Sequence, residues 1–302
     1  MTEIIPCPLC AVTEHEDIYS FDDGVSICKC LACGFVYTSP RLRKESRDKF
    51  YESGYFHGTS DININIDYTK NSTIFANDAA ERVKLLNKYL PPQKNKVLEI
   101  GSAAGFFLKA LKDKGFDAVG LELSAEMCAY AKDNFAVDCR CENIEKSSLP
   151  DSYFDAVALW HVLEHLENPL ETLKLLNSKL TDKGMLFITV PNFNSGNSRR
   201  LGANWGHLQP KVHLSHFTRE SIEHMLSKAG FKIVSMTKSG GTGFFGKGSK
   251  ARNRLKNFIA KNISKFNLPR KIIKYFIVNY LGKDDFITVV GRKCPKTIPV
   301  EI

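Results

Sequence analysis

The sequence contains no apolar run approaching the roughly 20 residues of a membrane-spanning helix, which leaves no candidate transmembrane segment. Met1 to Cys10 lacks the basic start and long apolar core of a secretory signal, so the expected location is cytoplasmic. Acidic residues are missing from one long stretch: between His224 and Lys283 there are fourteen Lys and Arg and no Asp or Glu. The net charge of +9 is therefore local, because the remaining 28 basic residues face 33 acidic ones. Outside that stretch the chain has no basic excess with which to grip nucleic acid. The chain also lacks Gly-x-Gly-x-x-Gly after its first clear strand, which argues against a dinucleotide site.

What is present is a 302-residue chain with 43% hydrophobic and 25% charged residues, enough for one large α/β domain and a small appendage. Five of the nine cysteines lie in the first 33 residues. Cys7-Pro-Leu-Cys10 and Cys30-Leu-Ala-Cys33 form two Cys-x-x-Cys turns separated by nineteen residues, a spacing that brings four thiolates to one tetrahedral Zn²⁺. Ile18, Tyr19 and Phe21 before the second turn, and Phe35, Val36 and Tyr37 after it, suggest short hairpin strands of a zinc ribbon. Cys28 is an alternative to Cys30, although Cys30 completes the second Cys-x-x-Cys. A closed four-thiolate site has a structural role. Cys128, Cys139, Cys141 and Cys294 are scattered and read as core or surface thiols.

Lys96-Val-Leu-Glu-Ile-Gly-Ser-Ala-Ala-Gly-Phe-Phe107 organises the rest. An apolar strand runs into Gly101 and Gly105 and then into a helix. Glu99 beside the turn would repel a phosphate and suits a ligand that carries a cationic amine. Strands are expected at Val97–Ile100, Ala118–Leu121, Val137–Arg140, Ala156–Trp160, Met185–Val190, Lys232–Met236 and Phe286–Val290. Helices are expected around Phe106–Lys114, Ala125–Asn134, Pro169–Leu180 and Arg219–Ala229. Such alternation predicts an α/β, doubly wound, mostly parallel Rossmann-like sheet. Ile74 to Leu90 adds helical sequence, Tyr51, Tyr55 and Phe56 sit in a loop-like stretch near the site, and Asp61 to Asp67 reads as an exposed loop. The expected organisation is a zinc ribbon at 1–40, a linker with N-terminal helices at 41–95 and a main domain at 96–302 with a basic helical insertion at 244–283.

The Glu-x-Gly-x-x-x-Gly turn resembles motif I of the class I S-adenosylmethionine (SAM) methyltransferases. Trp160-His-Val-Leu-Glu-His165-Leu, followed by Asn168-Pro169, resembles a signature of small-molecule methyltransferases, including ubiquinone O-methyltransferases and zinc-ribbon sugar C-methyltransferases. The resemblance runs from Cys7 to Lys293 and implies a seven-stranded sheet whose last strand is antiparallel. It implies SAM bound along Glu99, Gly101, Ser102, Gly105, Phe106 and Leu123, with Glu122 at the ribose and Asn143 and Ile144 at the adenine. Trp160 and His161 complete that set. Glu122 also lies 21 residues after Gly101, where a carboxylate can accept two ribose hydroxyls. Its alternative role is as a carboxylate at a helix start capped by Ser124.

His161, Glu164 and His165 stand at i, i+3 and i+4 and would share one face of a helix, either bracing the SAM pocket or holding a second metal. The long segment Phe193 to Phe217 follows a parallel strand, at the ligand face. His213-Leu-Ser-His216-Phe-Thr218 resembles the acceptor-loop segment of the sugar C-methyltransferases. That resemblance assigns His213 to the acceptor, with His165 as a second catalytic candidate. Val212 stands where a neighbouring acid is common in that family, and His207 and His216 are alternates. In the basic stretch, Leu255, Phe258, Ile259, Ile263 and Phe266 recur at helical spacing. Such a surface can contact an anionic membrane through 251–281, contact RNA phosphates, or pack on the domain. The expected activity is in-line methyl transfer to a small-molecule, sugar, glycan or lipid-linked acceptor. An RNA base methyltransferase and a non-catalytic SAM-binding module are the alternatives, and no Asn-Pro-Pro-Tyr-type motif supports the first of them.

Overall fold

The computed structural model describes residues 1–52, 55–57, 67–70, 72–91, 95–239 and 284–294. The exposed loop expected over Asp61 to Asp67 lies outside these residues apart from Asp67, as do the expected insertion at 244–283 and the surface at 251–281. No helix among the described residues is long and apolar enough to cross a membrane.

The N-terminal region holds β1 (Thr2–Glu3), β2 (His15–Ser20), β3 (Ser26–Cys30), β4 (Val36–Thr38) and β5 (Arg41–Leu42). Two helices follow, α1 (Lys44–Glu52) and α2 (Ser72–Asn87). The main sheet then opens with β6 (Lys96–Ile100), α3 (Phe106–Asp113), β7 (Asp117–Glu122), α4 (Ala125–Phe135) and β8 (Asp138–Cys141). It continues with β9 (Phe154–Trp160), α5 (Pro169–Lys179), β10 (Leu180–Pro191), α6 (Gly196–Leu201), β11 (Ser215–His216), α7 (Arg219–Lys228), β12 (Phe231–Ser239) and β13 (Phe286–Lys293).

Seven strands order as β12-β13-β10-β9-β6-β7-β8. β6, β7, β8, β9 and β10 are parallel neighbours, while β13 runs antiparallel to both β10 and β12. All seven expected strands are present, and the late seventh strand is antiparallel. The four expected helices correspond to α3, α4, α5 and α7. The reasons are local. The central strands are buried on both faces, so Val97, Leu98, Val157, Leu159, Phe187 and Ile188 read as continuous apolar runs. Each such side chain, fully buried, contributes about 1.5–3 kcal/mol relative to exposure. Ser124 caps α4 by accepting the Met127 N–H, Pro169 starts α5, and Thr218 with Ser221 forms a capping box on α7. Asp155 accepts the Lys96 N–H at 2.9 Å and ties the entry of β6 to β9.

The N-terminal hairpin is not a bead on a string. β2, β3 and β4 form a sheet that takes β11 from the main domain as its fourth strand. One hydrophobic core includes Cys7, Leu9, Phe35 and Tyr37 together with Leu98, Leu159, Phe217 and Met225.

Candidate active site

The turn after β6 places its groups through backbone conformation. Gly101 has φ +68° and Gly105 φ +79°, both in the left-handed region that glycine adopts without strain. A Cβ on Gly101 would stand 2.6 Å from Val162 Cγ2, and one on Gly105 2.6 Å from Ala131 Cβ. The bare glycines therefore let the turn lie directly against Val162 and α4.

Glu99 is buried, and its Oε2 has no hydrogen-bond partner among the described residues. Burial pushes its carboxyl well above the ordinary carboxylate range; nearby Arg82 opposes the shift and Glu122 adds to it. An unmatched buried carboxylate costs free energy until a cation or donor meets it. Glu122 sits at the end of β7, where its Oε2 accepts the Ala103 N–H at 2.8 Å. Its Oε1 accepts the N–H groups of Leu123 (2.8 Å) and Ser124 (2.9 Å). Burial raises this carboxyl also, against those three amide donors. The side chain is thus held between the turn after β6 and the start of α4.

Leu123, next to Glu122, is 70% exposed. Asn143 spends its Oδ1 on the Glu145 N–H at 2.8 Å, and Ile144 beside it is buried. Ser102 turns its hydroxyl toward Cys139 Sγ at 3.3 Å and its N–H to Leu121 O, so it supports the turn from below. Phe106 stacks on Phe75 at 5.5 Å, and Phe75 stacks on Tyr68 at 4.5 Å. Phe56 belongs to a cluster with Ala104 and Met127. Trp160 is buried, its Nε1 has no partner among the described residues, and Arg82 stands over its ring at 5.1 Å. Arg82 had no sequence signal of its own. It lies on α2, paired with Asp78 one turn back, and its charge reaches Glu99, His161 and Tyr68.

The second half of the site differs from the expected helical face. His161 has φ +60° and only Leu163–His165 forms a short 3₁₀ turn. His161 stays near Glu164 (Nδ1 to Oε1 3.7 Å) and against the Phe286 ring at 4.7 Å. The three groups that converge are instead Glu164, His165 and His213, whose ligand atoms lie within 4.8 Å of one another. His165 Nδ1 faces Val212 O at 3.2 Å, and His213 Nδ1 faces His207 O at 2.9 Å. A carbonyl only accepts, so both rings carry their proton on Nδ1 and present Nε2 as a base or ligand atom. The rings meet edge to face at 4.6 Å. Burial lowers both imidazole pKa values, that of His213 far below the usual range, with neighbouring His165 and His216 adding to the effect. Burial also pushes Glu164 up to about 7, with His165 opposing. The arrangement offers a neutral base at neutral pH, and its donor set could also hold a divalent cation.

The two alternates to His213 are both drawn into the interior. His216 is buried with its pKa pushed down to about 3. His207 is partly buried against Trp205 and Phe286, and burial lowers it to about 4. The long segment after β10 is a packed unit containing α6 and β11, and Val212 to Phe217 are all buried.

In the N-terminal hairpin, Cys7, Cys10, Cys30 and Cys33 converge, with their sulfurs within 4.8 Å of one another. Cys7 and Cys33 sulfurs are 3.6 Å apart and those of Cys10 and Cys30 3.5 Å. A tetrahedral zinc with Zn–S of about 2.3 Å spaces its sulfurs about 3.8 Å apart, so the donor set fits that ion. Backbone N–H groups of Leu9 and Cys10 point at Cys7 Sγ, and those of Ala32 and Cys33 at Cys30 Sγ. Such donors stabilise thiolates. Cys28 stands apart, with its sulfur on Tyr37 O at 3.5 Å.

A family model for a methyltransferase domain matches residues 74–236. The chain belongs to that methyltransferase family. By family and fold it is a class I SAM-dependent methyltransferase. It is 25% identical over 181 residues to the biotin biosynthesis bifunctional protein BioHC of Cellvibrio japonicus, covering 58% of this chain and 36% of that one. It is 30% identical over 104 residues to a ubiquinone biosynthesis O-methyltransferase of Bradyrhizobium diazoefficiens, covering 33% and 41%. The chain thus spans less than half the length of either curated relative. A SAM-dependent methyltransferase from Archaeoglobus fulgidus superposes with TM-score 0.50 at 23% identity, over 72% of this methyltransferase and 94% of that chain. One from Mesorhizobium loti gives TM-score 0.51 at 17% identity, over 72% and 100%. These two likenesses concern the fold.

Proposed function

We propose that the protein transfers the SAM methyl group in line to a small-molecule, sugar, glycan or lipid-linked acceptor, with His213 as the general base and His165 beside it. The observation that carries this reading is the orphaned Glu99 carboxylate at the glycine turn, with a neutral His165–His213 pair beyond the same carboxyl edge of the sheet. Glu99 answers the cationic amine of SAM. Gly101 and Gly105 let the backbone approach it, and Glu122 accepts the ribose hydroxyls. Leu123 and Ile144 sandwich the adenine. Since Asn143 Oδ1 is engaged, its amide nitrogen is the group left to donate to a ring nitrogen. Arg82 and Trp160 close the methionine end, and Ser102 and Phe106 shape the turn.

SAM supplies the electrophilic methyl; the chain supplies position and a proton acceptor. As the acceptor O, N or C attacks, its proton passes to His213 Nε2. The Nδ1–H of that ring meanwhile keeps donating to His207 O, which holds the tautomer. Zn²⁺ on Cys7, Cys10, Cys30 and Cys33 is assigned a structural role. The ubiquinone O-methyltransferase relatives support a small-molecule acceptor.

Incubation with methyl-labelled SAM and cell extract, followed by separation into RNA, lipid, glycan and small-molecule pools, tests the reading. Label in the small-molecule, glycan or lipid pool supports it. Label confined to RNA overturns the acceptor class, and SAM binding without any labelled product overturns catalysis.

A further inference from the structure

β4 belongs to two structures. It begins three residues after Cys33, so its start is set by the second cysteine turn. On one edge it pairs with β3 of the hairpin, and on the other with β11, in the segment that carries His213. At its end stands Thr38, fully buried. The Thr38 N–H donates to Leu214 O at 3.0 Å, and its hydroxyl donates to His213 O at 2.8 Å. The same oxygen lies 3.1 Å from His216 Nε2. A hydroxyl has one hydrogen, and here it is committed to a carbonyl that can only accept. His216 must then donate, which assigns it the Nε2–H tautomer. One side chain holds the backbone of His213 and the ring of His216.

The restraint continues in both directions. Leu214 N–H donates to Glu164 O at 2.7 Å, linking the segment to the turn that bears Glu164 and His165. Phe35, two residues beyond Cys33, packs edge to face on Phe217 at 5.6 Å, and both are fully buried. Lys228 Nζ of α7 reaches Leu9 O in the first cysteine turn at 3.4 Å. The β4–β11 ladder has only two residue pairs, so it gives little register restraint without the side chain that locks it.

We propose that Thr38 is a positioning residue for His213, and that the cysteine hairpin is a clamp on the acceptor segment in place of a substrate-reading module. This rests on His213 being the base, as assigned above. A proton acceptor displaced by about 1 Å can cost on the order of 100-fold in rate, so the hydroxyl acts through geometry and not through contact with substrate.

The test uses the full-length protein as wild type, Thr38→Val, Thr38→Ser and His213→Ala. Turnover is read with methyl-labelled SAM and the extract pool that accepts label, SAM affinity by calorimetry, and imidazole tautomers by ¹⁵N-histidine NMR. Thr38→Val keeps the shape and deletes the hydroxyl. It should lower turnover about tenfold with SAM Kd changed less than about twofold, while Thr38→Ser stays within about threefold of wild type. In the wild type, His216 should carry its proton on Nε2 with Nδ1 bare. Wild-type turnover in Thr38→Val, an equal loss in Thr38→Ser, or a proton on His216 Nδ1 would each overturn the clamp. If Thr38→Val does not fold, the serine variant and the wild-type tautomer still decide. Full turnover in His213→Ala overturns the base assignment instead, and a silent Thr38→Val beside an inactive His213→Ala overturns the clamp alone.

Discussion

The glycine turn draws Glu99, Gly101, Gly105 and Glu122 from one continuous strand–turn–helix–strand segment, whereas the histidine cluster gathers Thr38, Glu164, His165, His213 and His216 from three distant parts of the chain. The first is held by backbone conformation and by amides of its own turn. The second is held by carbonyls of Val212 and His207, by a hydroxyl contributed by the hairpin, and by a two-pair ladder between β4 and β11. A short-range site survives changes elsewhere in the molecule, and a long-range site reports on every element that assembles it. Cofactor affinity and turnover should therefore separate under mutation.

His213→Ala presses hardest on that separation. Loss of the general base should lower turnover by about 10²–10⁴-fold, with SAM affinity unchanged within about twofold by calorimetry. Loss of SAM binding in this variant would merge the two regions into one. Gly101→Val makes the converse cut. It puts a β-branched side chain at φ +68° and against Val162, and should weaken SAM binding by about 100-fold, or ~2.7 kcal/mol.

Cys30→Ser tests whether the hairpin reaches the distant pocket. It should remove bound zinc, measured by elemental analysis, and lower both unfolding free energy, by ~2 kcal/mol, and turnover. Cys28→Ser should retain the zinc, because the Cys28 sulfur faces Tyr37 O and not the cluster.

The smallest effect sharpens the cofactor half alone. Burial raises Glu99 in the free protein, and a bound ammonium group would lower it again, so SAM binding should release a proton. The sign follows: affinity rises with pH while Glu99 is still protonated in the free protein, by at most about tenfold per pH unit. It levels off near pH ~8, where an α-amino group loses its own charge. Calorimetry in buffers of different ionisation enthalpy would detect the released proton, and uptake in place of release would contradict the role of Glu99.

How much was legible follows the same division. The seven main strands and four helices were readable, because apolar runs, Ser124, Pro169, Thr218 and the two glycines act within a few residues. The Cys-x-x-Cys spacing pointed to the four cysteines that the fold brings together, and the side of β3 to which Cys28 turns was not visible. His161, Glu164 and His165 had the spacing of a helical face, but His161 adopts φ +60° and β9 ends in a turn, so the third member of the group is His213. Arg82 looked like any charged residue on a helix; only packing of α2 over Trp160 brings it to the cleft. His216 read only as an alternate to His213, and nothing near it in sequence announces its burial.

By itself, the sequence determined the sheet, the cofactor turn and the cysteine quartet, since each depends on periodicity, backbone freedom or ligand spacing over short distances. Tertiary structure alone decided what surrounds His213. Thr38 and His213 are 175 residues apart, and their contact exists only because β4 and β11 share a ladder. Pairing between such remote strands depends on the whole folded core, and no local pattern in either segment encodes it.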